Sequence, residues 1–319
     1  MPNNLKELKN IWLIGGGKIS IEYLKVLTNF NKKIILITRR KKQVNLMKKF
    51  KKNVSFQYGG LSKFLKSNPQ KPEKVILAVN TRYLYKMSEL LINYGIKSIM
   101  VEKPAALKLL ELKKLKKIIS KKNVKYVIAY NRRFYGSINY IKKLILKNRI
   151  RGVYFDLTEW IHKIKLSDYS RLELKKWFLC NTSHITDLVF YLAGQPKKVS
   201  YLNKDSIKWH KPVLFNGNGI TKKNIPFVYR GDWLSHGRWE IKIFFKGFVA
   251  KLKPIESLNI EYISKKNIKI EKFKNESKYK PGFYNMCNSF IKNNLQEFCT
   301  IDQQINNFKF VHRILGWKD

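Results

Sequence analysis

Three short stretches hold residue types at spacings able to do chemistry. In Ile11-Trp12-Leu13-Ile14-Gly15-Gly16-Gly17-Lys18-Ile19-Ser20, strand-forming residues run into a glycine turn, and helical spacing begins behind it in Ile19, Tyr23, Leu24 and Leu27. Gly15 permits a tight reversal, and Gly17 lets the backbone approach a pyrophosphate with no Cβ in the way. The helix start then offers unpaired N–H groups and a positive dipole to that anion. Ser20 stands where a third glycine is often found and is small enough for close packing of helix on strand. In the second stretch, Glu102-Lys103-Pro104, the lysine ends an apolar run, where an ammonium can orient a hydroxyl and relay its proton. The third is Asn181-Thr182-Ser183-His184-Ile185-Thr186-Asp187-Leu188. Three residues apart on a helix, His184 and Asp187 share a flank, so the carboxylate is expected to hold the imidazole in one tautomer. His184 is then a general base or acid.

These groups need elements to position them, and the first part of the chain supplies a regular alternation. Lys33 to Thr38, Val54 to Tyr58, Lys74 to Val79 and Ser98 to Val101 read as strands. A basic helix over Lys41 to Lys52 and further helices over Leu61 to Lys66 and Met87 to Tyr94 separate them. Continuous apolar strands alternating with helices predict a doubly wound parallel sheet, the Rossmann arrangement, covered on both faces. Ligands of such sheets lie at the carboxyl ends of the strands, which gathers Gly15, Gly17, Lys18, Ile19, Thr38, Arg39, Arg40, Val79, Asn80, Glu102 and Lys103 into one rim for a dinucleotide. About 20 residues past the glycines an NAD site usually places an acid on the ribose hydroxyls. Here Thr38-Arg39-Arg40 offers none, and a guanidinium can pair with a 2′-phosphate, so NADP is the expected cofactor, with NAD the alternative.

From about residue 135 the texture changes. Helices over Ile138 to Leu146 and Leu172 to Leu192, strands over Gly152 to Trp160, Lys198 to Leu202, Arg238 to Phe245, Val249 to Lys253 and Ile268 to Phe273, and closing helices over Phe283 to Lys292 and Gln303 to Leu315 predict an α+β unit with a mostly antiparallel open sheet. Asn216-Gly217-Asn218-Gly219 reads as a turn or mobile loop. The expected division is 1–124 for dinucleotide binding and 125–319 for substrate binding and oligomerisation.

A chain of 319 residues that is 44% hydrophobic can bury two cores. The start, Met1-Pro2-Asn3-Asn4-Leu5-Lys6, lacks the apolar core of a signal peptide, and no run is long and apolar enough to span a bilayer, so a cytoplasmic protein without a membrane partner is expected. Cys180, Cys287 and Cys299 are scattered and suggest neither a disulfide framework nor a metal site. The formal net charge of +45 would ordinarily raise nucleic acid as a partner, but the lysines run along almost the whole chain and form no single arm or patch. A background bias that favours anionic small molecules is the reading taken, with no nucleic-acid partner.

Glu102-Lys103-Pro104 closing a strand, Tyr130-Asn131-Arg132-Arg133-Phe134 after the strand Lys125 to Ala129, and the stretch around His184 and Asp187 together resemble the glucose-fructose oxidoreductase / inositol dehydrogenase (Gfo/Idh/MocA) family. The resemblance implies a dehydrogenase or reductase moving a hydride between a nicotinamide and a CH–OH carbon, with Lys103, His184 and Asp187 as catalytic residues. It also implies a sugar or cyclitol substrate, met by Asn131, Arg132, Trp177, Asn181 and His184, in a homodimer or homotetramer; the basic rim favours a nucleotide-linked or phosphorylated sugar, and the stretch Asn181 to His184 resembles members that modify sugars for surface polysaccharide. Tyr130, Arg133, Trp233, His236 and Arg238 are further residues able to reach the substrate. One departure stands out: many family members have an aspartate four residues before the histidine, and here that residue is Cys180. The thiol is read as packing rather than as a nucleophile or ligand. Its presence, with the missing family glycines, keeps open a non-catalytic dinucleotide-binding sensor or scaffold of the same fold.

Overall fold

The computed structural model describes residues 10–40, 50, 54–271, 273 and 276–317. The basic helix expected over Lys41 to Lys52 falls almost entirely outside them. The chain divides into two compact units, the first being residues 1–106, 110–129 and 283–301.

In the first unit β1 (Asn10–Ile14), α1 (Lys18–Leu27), β2 (Lys33–Ile37), β3 (Val54–Gln57), α2 (Gly60–Lys66), β4 (Lys74–Leu77), α3 (Leu84–Tyr94), β5 (Ser98–Glu102), α4 (Leu109–Lys121) and β6 (Lys125–Ala129) follow in order. Every strand pairing is parallel, and the order β3-β2-β1-β4-β5-β6 reverses direction between β1 and β4. That reversal is a topological switch point, beyond which the carboxyl ends of the strands leave a crevice. Ile11, Trp12, Leu13, Val75, Ile76, Leu77, Ile99, Met100 and Val101 are buried, as strands covered on both faces must be.

The expected boundary at residue 124 is corrected, because β6 is hydrogen-bonded to β5 from Ser98↔Lys125 to Glu102↔Ala129 and belongs to the parallel sheet. A later helix, over Phe283–Ile291, also returns to this unit, where Phe283 packs on Tyr23 of α1 with ring centroids 5.0 Å apart.

The second unit holds α5 (Gly136–Lys147), β7 (Gly152–Asp156), α6 (Arg171–Lys175), α7 (Ser183–Ala193), β8 (Pro196–Val199), β9 (Leu202–Lys204), β10 (Leu214–Thr221), β11 (Pro226–Asp232), β12 (Glu240–Phe245), β13 (Phe248–Leu252), β14 (Leu258–Tyr262) and β15 (Ile268–Ile270). The returning helix just mentioned is α8, and α9 (Ile301–Leu315) is the last element. The sheet runs β15-β14-β13-β12-β7-β11-β10-β8, with β9 on β10, and only the β7–β11 pairing is parallel. Its inner face meets α7 and α9 through Phe155, Phe190, Phe227, Tyr229 and Phe310, whose rings contact one another at 4.7–6.2 Å.

The loop expected at Asn216-Gly217-Asn218-Gly219 is instead the middle of β10, paired residue for residue with β11 from Leu214↔Asp232 to Ile220↔Pro226. A Cβ on Gly217 would lie 2.5 Å from the Tyr229 hydroxyl, and one on Gly219 2.4 Å from the Phe227 ring. The glycines let aromatic rings of β11 lie across β10, which is why glycine occurs inside this strand. The turn itself comes later, where Asn224 takes a φ of 57°.

Candidate active site

In the first unit the site begins at the glycine turn. Gly15 has a φ of +132°, and a Cβ on it would stand 2.2 Å from the Ala78 carbonyl oxygen, so the close passage of β1 beside the end of β4 needs glycine here. Gly17, the residue before α1, is extended at φ −86°, and a Cβ on it would meet nothing within 4 Å. No side chain caps α1, and its first turn carries no acid. The open ground beside Gly17 and the uncapped N–H groups fit a phosphate, and they are the observation by which the turn suits a dinucleotide. Lys18 is exposed and Ile19 half-buried next to it, while Ser20 packs fully buried under Gly15.

The two glycines therefore have separable roles. Gly17→Ala is expected to leave the melting temperature within about 1 °C and weaken dinucleotide binding about tenfold or more, because the methyl fills the cradle and strains nothing. Gly15→Ala is expected to lose both, by about 1–3 kcal/mol in stability, since its backbone must move. Thermal melts with a fluorescence titration of each variant check this, and equal binding by Gly17→Ala and wild type would show that no phosphate rests there.

Thr38 is buried at the end of β2, with its hydroxyl donating to the Arg40 carbonyl at 3.3 Å. Arg39 and Arg40 are exposed and form no ion pair among the described residues. Arg39 lies over the Tyr83 ring at 5.2 Å, and Arg82 over the same ring at 4.8 Å. Tyr83 follows Val79 and Asn80 beyond β4, so the contact joins the ends of β2 and β4, the strands on either side of β1. On β5, Glu102 accepts a hydrogen bond from the Tyr23 hydroxyl at 2.6 Å, which ties the strand end to α1. Burial, then the Glu102 charge, pushes the Tyr23 phenol well above its usual range, so it stays a donor. Lys103 follows directly, half-buried, with a cis bond to Pro104.

In the second unit His184 sits in the first turn of α7, buried to 7% exposure. Its ring meets Tyr130 edge-on at 5.6 Å and Trp239 at 6.4 Å. A π-helical turn, Phe178–Thr182, leads into α7 and aims the residues around Asn181 away from the regular helix path. Asp187 does not hold the imidazole as its spacing suggests. Its carboxylate takes a bidentate pair from Arg133, Nε to Oδ2 at 2.8 Å and Nη2 to Oδ1 at 2.6 Å, and a third bond from Asn307 at 3.0 Å. Local spacing put Asp187 beside His184; a guanidinium from another element reaches it first.

Two residues that sequence reasoning passed over organise this region. Glu159, just beyond β7, is buried and accepts from Asn181 at 2.9 Å, Thr182 at 2.6 Å and Arg238 at 3.1 Å. Burial raises its carboxyl above the ordinary range against the pull of those three donors. Trp239, 4% exposed, carries the guanidinium carbons of Arg238 at 4.2 Å and Arg132 at 4.8 Å. The available signal was scarcity: with 21 acids against 66 basic residues, an acid in an apolar strand end such as Glu159 stands out.

A cleft of about 280 Å³ is bordered by Glu159, Trp160, Tyr169, Trp177, Asn181 and Arg238. Trp177 and Asn181 thus border one cleft, and Arg132 is linked to Arg238 through Trp239. Asn131 does not join them, because its amide donates to the Pro281 carbonyl at 3.0 Å and holds the backbone before Gly282. Cys180 is partly exposed and in no disulfide. Among the described residues no three or more His, Cys, Asp or Glu side chains gather as a metal site, and no helix is long and apolar enough to cross a membrane.

Comparison with known proteins bears on this geometry. Residues 9–130 match the GFO_IDH_MocA family, described as an oxidoreductase family with an NAD-binding Rossmann fold. No curated protein matches the chain in sequence. Among solved structures, a dehydrogenase (MviM) from Clostridium difficile superposes with a TM-score of 0.76 at 18% identity, covering 98% of this chain and 99% of that one. A UDP-N-acetylglucosamine 3-dehydrogenase from Acidithiobacillus ferrooxidans gives 0.74 at 13% identity over 97% of each chain. A super-repressor mutant of Gal80p from Saccharomyces cerevisiae gives 0.78 at 14% identity, over 97% of this chain and 95% of that one. At these identities the structural likeness carries the fold.

Proposed function

We propose, from the premise that residues 9–130 of this chain belong to the Gfo/Idh/MocA oxidoreductase family, that the protein moves a hydride between a nicotinamide and a carbinol or keto carbon of a sugar. The observation that carries the reading is the set of groups at the switch point of the parallel sheet: the Gly15 turn and open ground at Gly17 on one strand, and Glu102-Lys103-Pro104 on another. The bound dinucleotide supplies the hydride donor or acceptor. Lys103 orients the substrate hydroxyl and, with His184, takes or returns its proton. Asp187 serves His184 indirectly, by holding α7 through Arg133. Asn181, Trp177 and Arg132 bind the sugar. The fold shared with a UDP-N-acetylglucosamine 3-dehydrogenase supports a nucleotide-linked sugar as substrate.

Arg39 and Arg40, without acidic partners among the described residues, make NADP the preferred cofactor. A titration with NADPH and NADH, following nicotinamide fluorescence, tests this on wild type and Arg39→Ala. NADPH affinity is expected to fall about 10- to 100-fold in the variant, the worth of a charge-assisted pair, with NADH changed only slightly. If both nucleotides weaken equally, Arg39 does not read a 2′-phosphate; if neither binds to wild type, the oxidoreductase reading fails.

The solvent face of the second unit's sheet exposes Val228 (52%) and Phe244 (41%) beside Tyr154, a surface suited to pairing subunits in a homodimer or homotetramer. A second reading, a dinucleotide-binding sensor without turnover, draws on Cys180, on the engagement of Asp187 by Arg133 and on the fold shared with a repressor.

A further inference from the structure

The buried and half-buried arginines of the second unit are, with one exception, matched by acceptors. Arg133 pairs with Asp187 and also donates to Gln303, Arg230 pairs with Asp156 at 3.3 Å, and Arg238 with Glu159 at 3.1 Å. Arg132 differs. It makes no hydrogen bond or ion pair among the described residues, and its Nε is fully buried without an acceptor. On an exposed surface water would solvate such a group; a buried guanidinium Nε–H without an acceptor is destabilising. Its position is nevertheless fixed. The guanidinium rests on Trp239 at 4.8 Å, a ring that also meets His184 at 6.4 Å, and Tyr130, two residues earlier in the chain, packs edge-on against His184.

The other guanidinium on Trp239 belongs to Arg238, and Glu159 has already neutralised it. Two cations thus share one indole, one satisfied internally and one not. The asymmetry is chemical: a neutral sugar could offer Arg132 single hydroxyl acceptors but no counter-charge, whereas a carboxylate or phosphate would complete it with a forked, charge-assisted pair. Stacking holds the fork in place beforehand, so little ordering is required when an anion arrives.

We infer that the surface around Trp239 is a subsite for an anionic group of the substrate, either a carboxylate on the sugar ring or a phosphate on its anomeric oxygen, with Arg132 as the receptor. The inference rests on the oxidoreductase reading, which makes His184 the neighbour of the reacting carbon, and it adds the charge of what binds there.

The test is isothermal titration of the full chain, loaded with nicotinamide dinucleotide, with glucose, glucuronate and glucose 1-phosphate, at about 0.3 M salt to screen the general positive surface. One anionic sugar is expected to bind about tenfold or more tighter than glucose, and which one distinguishes carboxylate from phosphate. Arg132→Gln is expected to abolish the preference and Arg132→Lys to keep part of it. Arg151→Gln, an exposed arginine elsewhere in this unit, should leave it intact. Equal binding of neutral and anionic sugars, no binding of either anionic sugar, or a preference that survives Arg132→Gln would overturn the inference. Nicotinamide fluorescence in the same samples separates the two readings. Dinucleotide binding without an anion preference removes this inference alone, while absent dinucleotide binding removes the oxidoreductase reading and leaves the sugar comparison to be read on the unloaded protein.

Discussion

Asp187→Ala is expected to destabilise the second unit by about 3–5 kcal/mol, the cost of leaving a buried guanidinium without its counter-charge. Both side chains of the Arg133–Asp187 pair are 1% exposed, so water cannot replace the lost carboxylate. The bond of Arg133 to Gln303 at 3.0 Å and its contact with the Tyr191 ring at 4.6 Å carry no negative charge to take the carboxylate's place. Through Asp187, Gln303 and Asn307 the pair joins α7 and α9 to the segment after β6, so the loss is felt by three elements at once. A thermal melt should show a midpoint lowered by roughly 6–20 °C. The double variant Arg133→Met/Asp187→Leu should recover more than half of that, because it removes both charges from the interior. The same geometry separates structure from chemistry: the carboxylate gives its bonds to Arg133 and Asn307, so turnover per folded molecule should fall less than about tenfold. A loss of a thousandfold with an unchanged melt would instead make Asp187 a catalytic residue in its own right.

That pair also marks where sequence reasoning stops. Neighbours along the chain were legible: Gly15 and Gly17 stand between an apolar strand and a helix, and the demands on them are set within one βα turn. The parallel sheet was legible for a similar reason, since residues such as Val75, Ile76 and Leu77 are apolar in succession only if both faces are covered. Partners from distant segments were not. Asp187 was assigned to a histidine three residues away, and its true partner lies 54 residues earlier. Gly217 and Gly219 read as a loop because the rings that require them, Tyr229 and Phe227, come from the neighbouring strand. Glu159 gathers Asn181, Thr182 and Arg238 across separations of 22, 23 and 79 residues, a convergence that no local pattern announces. The helix Leu109–Lys121 escaped notice for another reason: in a chain this rich in lysine, its charged face does not stand out from its surroundings.

Lys103→Met is expected to lower kcat by about 10²- to 10⁴-fold, the usual worth of a positioned proton-transfer group. Its dinucleotide affinity should remain within a few-fold, because the cradle at Gly15 and Gly17 is untouched and Glu102 keeps its bond to Tyr23. Lys103→Arg keeps the charge but not the compact, rotatable ammonium, nor its readiness to give up a proton, so it should recover little. His184→Ala is expected to fall by a similar factor, with the Asn181 and Thr182 bonds to Glu159 preserving the turn that precedes it. The double variant is the decisive member of the set. If both groups act on one hydroxyl proton, removing the second costs little once the first is gone, and the double variant should be no more than about tenfold below the slower single one. If the two losses multiply, Lys103 and His184 serve different steps, one positioning the substrate and the other moving the proton. Should Lys103→Met keep kcat within tenfold of wild type while the sugar turns over normally, the lysine closing β5 takes no part in the chemistry, and the proton must be handled wholly from the second unit.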